Sequence, residues 1–411
     1  MTEPPIAALP SEPLPAVLPA EPFADVKALA AAAVDAARDE ILGLSHLIHA
    51  NPEPAFEEVR AAAWVAEAVG RHGYVVEHPA GSLATAVRGR LTGGLGADGP
   101  RIGVLAEYDA LPGLGHGCGH NTMASSGVGA AIALAAVRDR WAGEVVFLGT
   151  PAEERGSGKE IMLREGLFDG LDAALLFHPC DRNHVEIAPL ASEDVDVVFT
   201  GLQSHAASEP WEGRNALDAM IALFVSVGLW RQGLPPHCRV HGIIQEGGTA
   251  ANIIPDRTRA WFMIRSAEQP YYEVMKARFR QLCEAAALVA GVTVEIEFSG
   301  ASSTMKHNRT LAARWVANAD AYGIADEGMD QSSGSTDMAN VSWAMPAIHP
   351  DLAITDMPTP GHSIEFRDAA GRPRADRTVL LASTLVAKTA LDLLLDPALV
   401  RDAWREFRGE E

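Results

Sequence analysis

Cysteine is scarce in this chain of 411 residues. Cys118, Cys180, Cys238 and Cys283 lie far apart, without motif spacing. That excludes a disulfide scaffold and predicts a reducing, cytoplasmic setting. Basic charge is scarce too: 33 Lys and Arg stand against 54 Asp and Glu, a net charge of −21. Such a surface repels nucleic acid and anionic membranes, so neither is expected as a partner. An anionic small substrate stays open, because a site can carry its own local positive charge. No apolar run is read as reaching the ~18 residues of a membrane helix. Met1 to Glu21 is rich in Pro, Ala and Glu and has no basic or apolar region of the kind a secretion signal needs. Residues 1–22 are expected to form a disordered tail. No internal repeat is visible.

What is present is an ordinary globular balance, 48% hydrophobic and 21% charged, on a chain too long for one core. Val26 to His49 reads as one long amphipathic helix, and Phe56 to His72 as a second that stops at Gly73. Strands and helices then alternate: Arg101–Ala106, Thr122–Arg138, Glu144–Gly149, Gly158–Glu165 and Ala173–Phe177. This order predicts an α/β fold with a doubly wound, mostly parallel sheet. From Ser192 to Phe298 the pattern becomes β-α-β-β-α-β, which predicts a small α+β insert. A helix over Arg309–Tyr322 and a long apolar one over Arg377–Leu395 return to the first style. The expected division is 23–188 with 303–411 as one discontinuous domain, and 189–302 as the insert.

Four clusters can carry chemistry. Gly115-His116-Gly117-Cys118-Gly119-His120-Asn121 follows a strand and sets a thiol and imidazoles among glycines. Glycines supply no core volume, so packing is a poor reason for this run. Soft and imidazole ligands at a strand end read as a metal site, with His116, Cys118 and His120 as equal candidates. Glu153-Glu154 follows the next strand, and adjacent residues point different ways. One glutamate can bind metal while the other faces a water. His178 ends the third strand, and His362 sits in a Pro/Gly loop that matters only if the fold brings it to the others.

Six stretches in order resemble the M20 family of metallopeptidases, and more narrowly its amidohydrolase branch. They are Tyr108 to Pro112, His116 to Asn121, Glu153-Glu154, Ser204-His205-Ala206, Asn252 to Asp256 and Pro360 to Ser363. The likeness spans nearly all of the chain from Val26. Asn121 stands where many members have Asp. Gly334 to Trp343 resembles the sub-branch of p-aminobenzoyl-glutamate hydrolases and of dipeptidases acting on β-alanyl-lysine-type substrates.

The resemblance implies a zinc-peptidase-like catalytic domain with a lid and dimerisation insert, working as a homodimer. It implies two divalent metal ions, Zn²⁺ or Mn²⁺, held by Cys118, His120, Glu154, His178 and His362. Glu153 is then the general base, Asp109 orients a ligand histidine, and His205 supports the oxyanion. Asn252 binds substrate and Arg265 pairs with its carboxylate. The implied reaction is metal-assisted amide hydrolysis of a small molecule with a free carboxylate, an N-acyl amino acid or small dipeptide. The rivals are a dipeptidase or aminopeptidase needing a free α-amino group, a non-catalytic subunit or scaffold, and a nucleophilic Cys118.

Overall fold

The computed structural model describes residues 23–329, 334–356 and 358–410. The tail expected at 1–22 lies outside them.

The first sheet contains β1 (Val75–Glu77), β2 (Val87–Thr92), β3 (Arg101–Glu107), β4 (Glu144–Thr150) and β5 (Ala173–Leu175). Of three further strands, β13 (Ala347–Ile348) extends it, while β6 (His178–Cys180) and β14 (Asp351–Ala353) pair with each other. Its order is β1-β2-β4-β3-β5-β13, with β3 parallel to β4 and β5, and β5 parallel to β13. β6 and β14 form a short parallel ladder beyond it. Every residue of β4 is buried, as expected of a strand covered on both faces. The antiparallel β1 and β2 were not anticipated: both are short, and the outward Arg88 and Arg90 interrupt their apolar pattern.

Helices α1 (Ala24–Ala36), α2 (Arg38–His49), α3 (Val59–Arg71) and α4 (His120–Ala136) precede β5 in the chain, and α5 (Gly158–Arg164) follows β4. The single helix expected over 26–49 is two, broken at Ala37, whose φ of −93° and ψ of 9° leave the helical range. Alanine, the strongest helix former, gives no hint of that break. α4 is small-residue throughout because it is enclosed. A Cβ on Gly127 would stand 2.7 Å from the Leu105 carbonyl oxygen, and one on Gly129 would stand 2.3 Å from Ser383 Oγ. α4 thus lies directly on β3 and on α11 (Pro373–Leu395). Contrary to the sequence reading, α11 is long and apolar enough to cross a bilayer. It is almost wholly buried in the main core, which accounts for its composition. Lys27 on α1 is fully buried, 2.8 Å from Asp392 of α11, fastening the first helix to the last long one.

Residues 191–302 build a second sheet with its own core. Strands β7 (Ala191–Thr200), β9 (Cys238–Glu246), β11 (Arg257–Ser266) and β12 (Thr293–Ser302) run antiparallel in the order β12-β7-β11-β9. α6 (Ala216–Arg231) and α7 (Gln269–Ala290) cover one face. A two-stranded ribbon of β8 (Ser204–His205) and β10 (Ile253–Ile254) projects beside it. α8 (Arg309–Asp320), α9 (Met338–Ala344), α10 (Ile364–Ala369) and α12 (Pro397–Arg408) complete the chain.

Candidate metal centre and active site

Ligands in an open α/β sheet gather at the carboxyl ends of parallel strands. Glu107 closes β3 directly opposite Thr150 at the end of β4, so the segments leaving both strands emerge side by side. The first carries Asp109 and then Cys118 and His120. Gly119 has φ +80°, and a Cβ there would lie 2.8 Å from Pro179 Cγ. Only glycine fits against this proline ring at that φ, and α4 begins with His120 itself. The second segment carries Glu153 and Glu154 between Ala152 (φ 61°) and Ser157 (φ 54°). Two non-glycine residues in left-handed conformation mark a turn held by its surroundings. His178 opens β6. His362, itself at φ 58°, is hung on the same place by its N–H, which donates to the Gly117 carbonyl at 2.9 Å.

The side chains converge in two groups that share one residue. The potential ligand atoms of Cys118, His120 and His178 lie within 4.8 Å of one another, and so do those of Cys118, Glu154 and His362. Cys118 Sγ is 3.5 Å from His178 Nε2, and His362 Nε2 is 3.4 Å from Glu154 Oε2. The residues fit a pair of divalent cations. His120 Nε2 and Glu154 Oε1 are buried without a hydrogen-bond partner, and thiolate, imidazole and carboxylate form a mixed donor set. His116, one of the equal candidates in the sequence, turns away: its Nε2 meets the Ile48 carbonyl at 3.2 Å.

Asp109 is fully enclosed behind His120. Its Oδ1 sits 2.9 Å from His120 Nδ1, and its Oδ2 accepts the Glu154 N–H at 2.9 Å. Burial pushes its carboxyl up, but His120 and that N–H outweigh it and hold it below the usual range. Burial pushes the Cys118 thiol well up, as does the neighbouring Glu154. A cation would offset this by favouring the thiolate. Burial also lowers His178 to about 3, helped by His349 and His120, so this imidazole is neutral and free to ligate. Glu153 Oε2 lies 4.0 Å from His120 Nε2. Burial, then Glu107, Glu154 and Asp337, hold its carboxyl well above the usual range.

The other expected residues lie on the second sheet. His205 is exposed on β8, paired with Ile253, and its Nδ1 accepts the N–H groups of Ala207 and Ser208 at 3.2 Å. Asn252 is exposed beside it, its carbonyl taking the Ala206 N–H. Within one chain these contacts stay on the ribbon. Arg265 stands on β11 with its Nε buried and unpartnered, and it shares the neighbourhood of Asp194 with Arg155. Sequence reasoning did not single out Lys159 or Asp351. Lys159 is a buried cation beside Glu107, and Asp351 lies opposite His178 in the β6–β14 ladder, 3.7 Å from its Nδ1. The one signal in the sequence was Asp337, inside the stretch 334–343.

The chain matches the model of peptidase family M20/M25/M40 over residues 103–363. It is 37% identical over 404 residues to the Xaa-Arg dipeptidase of Mus musculus, covering 93% of this chain and 92% of that one. It is 28% identical over 453 residues to one of the subunits of the p-aminobenzoyl-glutamate hydrolase of Escherichia coli (strain K12), covering 92% and 93%. The solved Bacillus subtilis YXEP protein, described as a dinuclear metal binding peptidase from the M20 family, superposes with a TM-score of 0.65 at 20% identity, covering 87% of this chain and 99% of that one. With the shared thiolate cluster at its strand ends, the chain belongs to the M20 peptidase family and is a metal-dependent hydrolase of amide or peptide bonds.

Proposed function

We propose that this enzyme is a dipeptidase that releases a basic C-terminal residue carrying a free carboxylate. The observation that carries the reading is the 37% identity to an Xaa-Arg dipeptidase over nearly the whole of both chains. A net charge of −21 suits the approach of a cationic substrate. The second reading, hydrolysis of an N-acyl amino acid, is favoured by the likeness to the p-aminobenzoyl-glutamate hydrolase.

Cys118, His120 and His178 would hold one divalent ion, and Cys118, Glu154 and His362 the other. When bound, the ions supply Lewis-acid polarisation of the scissile carbonyl and a lowered water pKa. Glu153 takes a proton from the attacking water and passes it to the leaving nitrogen, a task suited to a carboxylate of high proton affinity. His205 donates to the oxyanion, and Asn252 and Arg265 hold the substrate carboxylate.

The metal is zinc or manganese, either of which such a mixed donor set fits. The working form is a homodimer in the cytoplasm. Support for the dimer comes from α6, where Ile221, Val225 and Leu229 stand one turn apart with 50%, 56% and 76% of their surface exposed. His205 serving the partner's site fits its exposure and its contacts, which are with Ile253, Ala207 and Ser208. Four free cysteines, one of them a ligand candidate, suit a reducing compartment.

The test is a substrate panel with Zn²⁺ or Mn²⁺ supplied: Ala-Arg and β-alanyl-lysine against p-aminobenzoyl-glutamate. The proposal expects kcat/KM at least tenfold higher for the basic dipeptides. The reverse order would replace it with the second reading.

A further inference from the structure

Glu107 is fully buried, and its Oε2 meets no hydrogen-bond donor among the described residues. An oxygen left so inside a protein is costly unless a cation answers it. Oε2 points at His120 Nε2, 3.3 Å away. That nitrogen is unpartnered too, because Asp109 engages the other side of the ring. A carboxylate oxygen and an unprotonated ring nitrogen at this distance repel each other unless a positive charge, a proton or a metal ion, lies between them.

The spacing has a chemical meaning. In a tetrahedron with metal–ligand bonds of about 2.0–2.1 Å, the corners lie roughly 3.3 Å apart. His362 Nε2 and Glu154 Oε2, at 3.4 Å, show the same separation, as do Cys118 Sγ and His178 Nε2, at 3.5 Å with a larger sulfur. Glu107, His120 and Glu153 also form a third group whose potential ligand atoms lie within 4.8 Å of one another.

The other oxygen of Glu107 is pinned. Lys159 Nζ lies 2.5 Å from Glu107 Oε1 and 2.5 Å from Asp337 Oδ1, with all three side chains enclosed. Asp337 Oδ2 also accepts the Lys159 backbone N–H at 2.9 Å, so one carboxylate grips Lys159 at both ends. The lysine is a fixed internal cation that orients Glu107 with Oε2 toward the centre.

We propose that Glu107 is a sixth metal-facing side chain, a carboxylate on the His120 side of the pair, and that Lys159 and Asp337 are its positioning residues. This rests on the metal-dependent reading above.

Metal-stripped protein is titrated with Zn²⁺ against a chromophoric chelator, with no substrate present. Wild type takes up two equivalents. Glu107→Gln keeps the shape and the Lys159 contact but loses the anion. It retains one tight equivalent, while the second weakens about 10–100-fold, the range found when groups supporting a metal site are removed. Two equivalents within twofold of wild type in Glu107→Gln overturn the assignment. A wild type that takes up no metal overturns the functional reading instead. The pair Lys159→Met with Asp337→Asn removes the cation and one of its carboxylates together. It weakens the same equivalent only, and adding Glu107→Gln produces no further loss. Equal loss at both sites, or fully additive losses, refutes the positioning role. If the paired variant does not fold, Glu107→Gln alone decides.

Discussion

Asp109 Oδ1 lies 2.9 Å from His120 Nδ1, and the Asp109 carbonyl oxygen lies 3.1 Å from the same nitrogen. His120 is thereby left with Nε2 as the nitrogen that faces Cys118 and His178. The other Asp109 oxygen fixes the Glu154 backbone, so one carboxylate positions ligand candidates on the segments that follow β3 and β4. Asp109→Asn is expected to lower metal affinity about 10–100-fold, as loss of a carboxylate behind a ligand histidine does elsewhere. Competition with a chelator measures it. An unchanged affinity would refute this role.

Cys118 belongs to both ligand groups, whereas His178 and His362 belong to one each. Cys118→Ala should therefore abolish tight binding of both ions. His178→Ala and His362→Ala should each leave one. Elemental analysis of the dialysed variants gives the count, and two ions retained by Cys118→Ala would show that the thiolate is not shared.

Glu153→Gln separates binding from turnover. The side chain belongs to neither Cys118 group, only to the third group with Glu107 and His120, so both ions are expected to stay bound. Loss of the proton carrier should slow turnover about 10²–10⁴-fold. A variant with more than a tenth of wild-type kcat would end the base assignment.

Glu58 provides a pH handle. Burial, and then Asp109, raise its carboxyl from 4.5 to about 7. Between those values the folded chain keeps a proton that the unfolded chain has lost. Its contribution to stability is therefore full below pH 4.5 and falls as pH rises to about 7. The fall amounts to about 3 kcal/mol, at ~1.4 kcal/mol for each unit. Glu58→Gln keeps an acceptor for the Ala152 N–H and should flatten this decline. Denaturant midpoints of metal-stripped protein across that range provide the comparison, and curves parallel to wild type would contradict it.

Val225 and Leu229 lie on the exposed stripe of α6. Replacing both with Glu should halve the mass seen by light scattering and leave the melting temperature near wild type, since neither side chain is in the core. A variant that still has the mass of a dimer would place the contact elsewhere.

The layered fold was legible because its signals are local. Continuous apolar runs such as Glu144–Gly149 and the alternation in Ser192–Thr200 reflect burial on two faces and on one. Cys118, His120, Glu153 and Glu154 were legible because glycines and strand ends surround them. Glu107 and Lys159 were not. A single Glu at a strand end reads like any solvated charge, and its partner Asp337 comes from far along the chain. Only the fold reveals that three charged side chains share one dry place. Lys27 and Asp392 escaped notice for the same reason. The break at Ala37 was illegible because neither Gly nor Pro marks it.

His362 is the ligand candidate that arrives last along the chain, tied to Gly117 through its backbone. An ion held by Cys118 and His362 would act as a removable staple across the intervening loop, which includes the whole second sheet. During synthesis, four ligand candidates emerge with the first sheet, but such a staple could not close until the ribosome had passed residue 362. Closing so long a loop costs entropy that the ion's binding would offset, which would couple metal supply to the final fastening of the chain. Limited proteolysis reads this directly: a chelator should speed cleavage around His362, and equal rates with and without it would show that the loop is held by the protein alone.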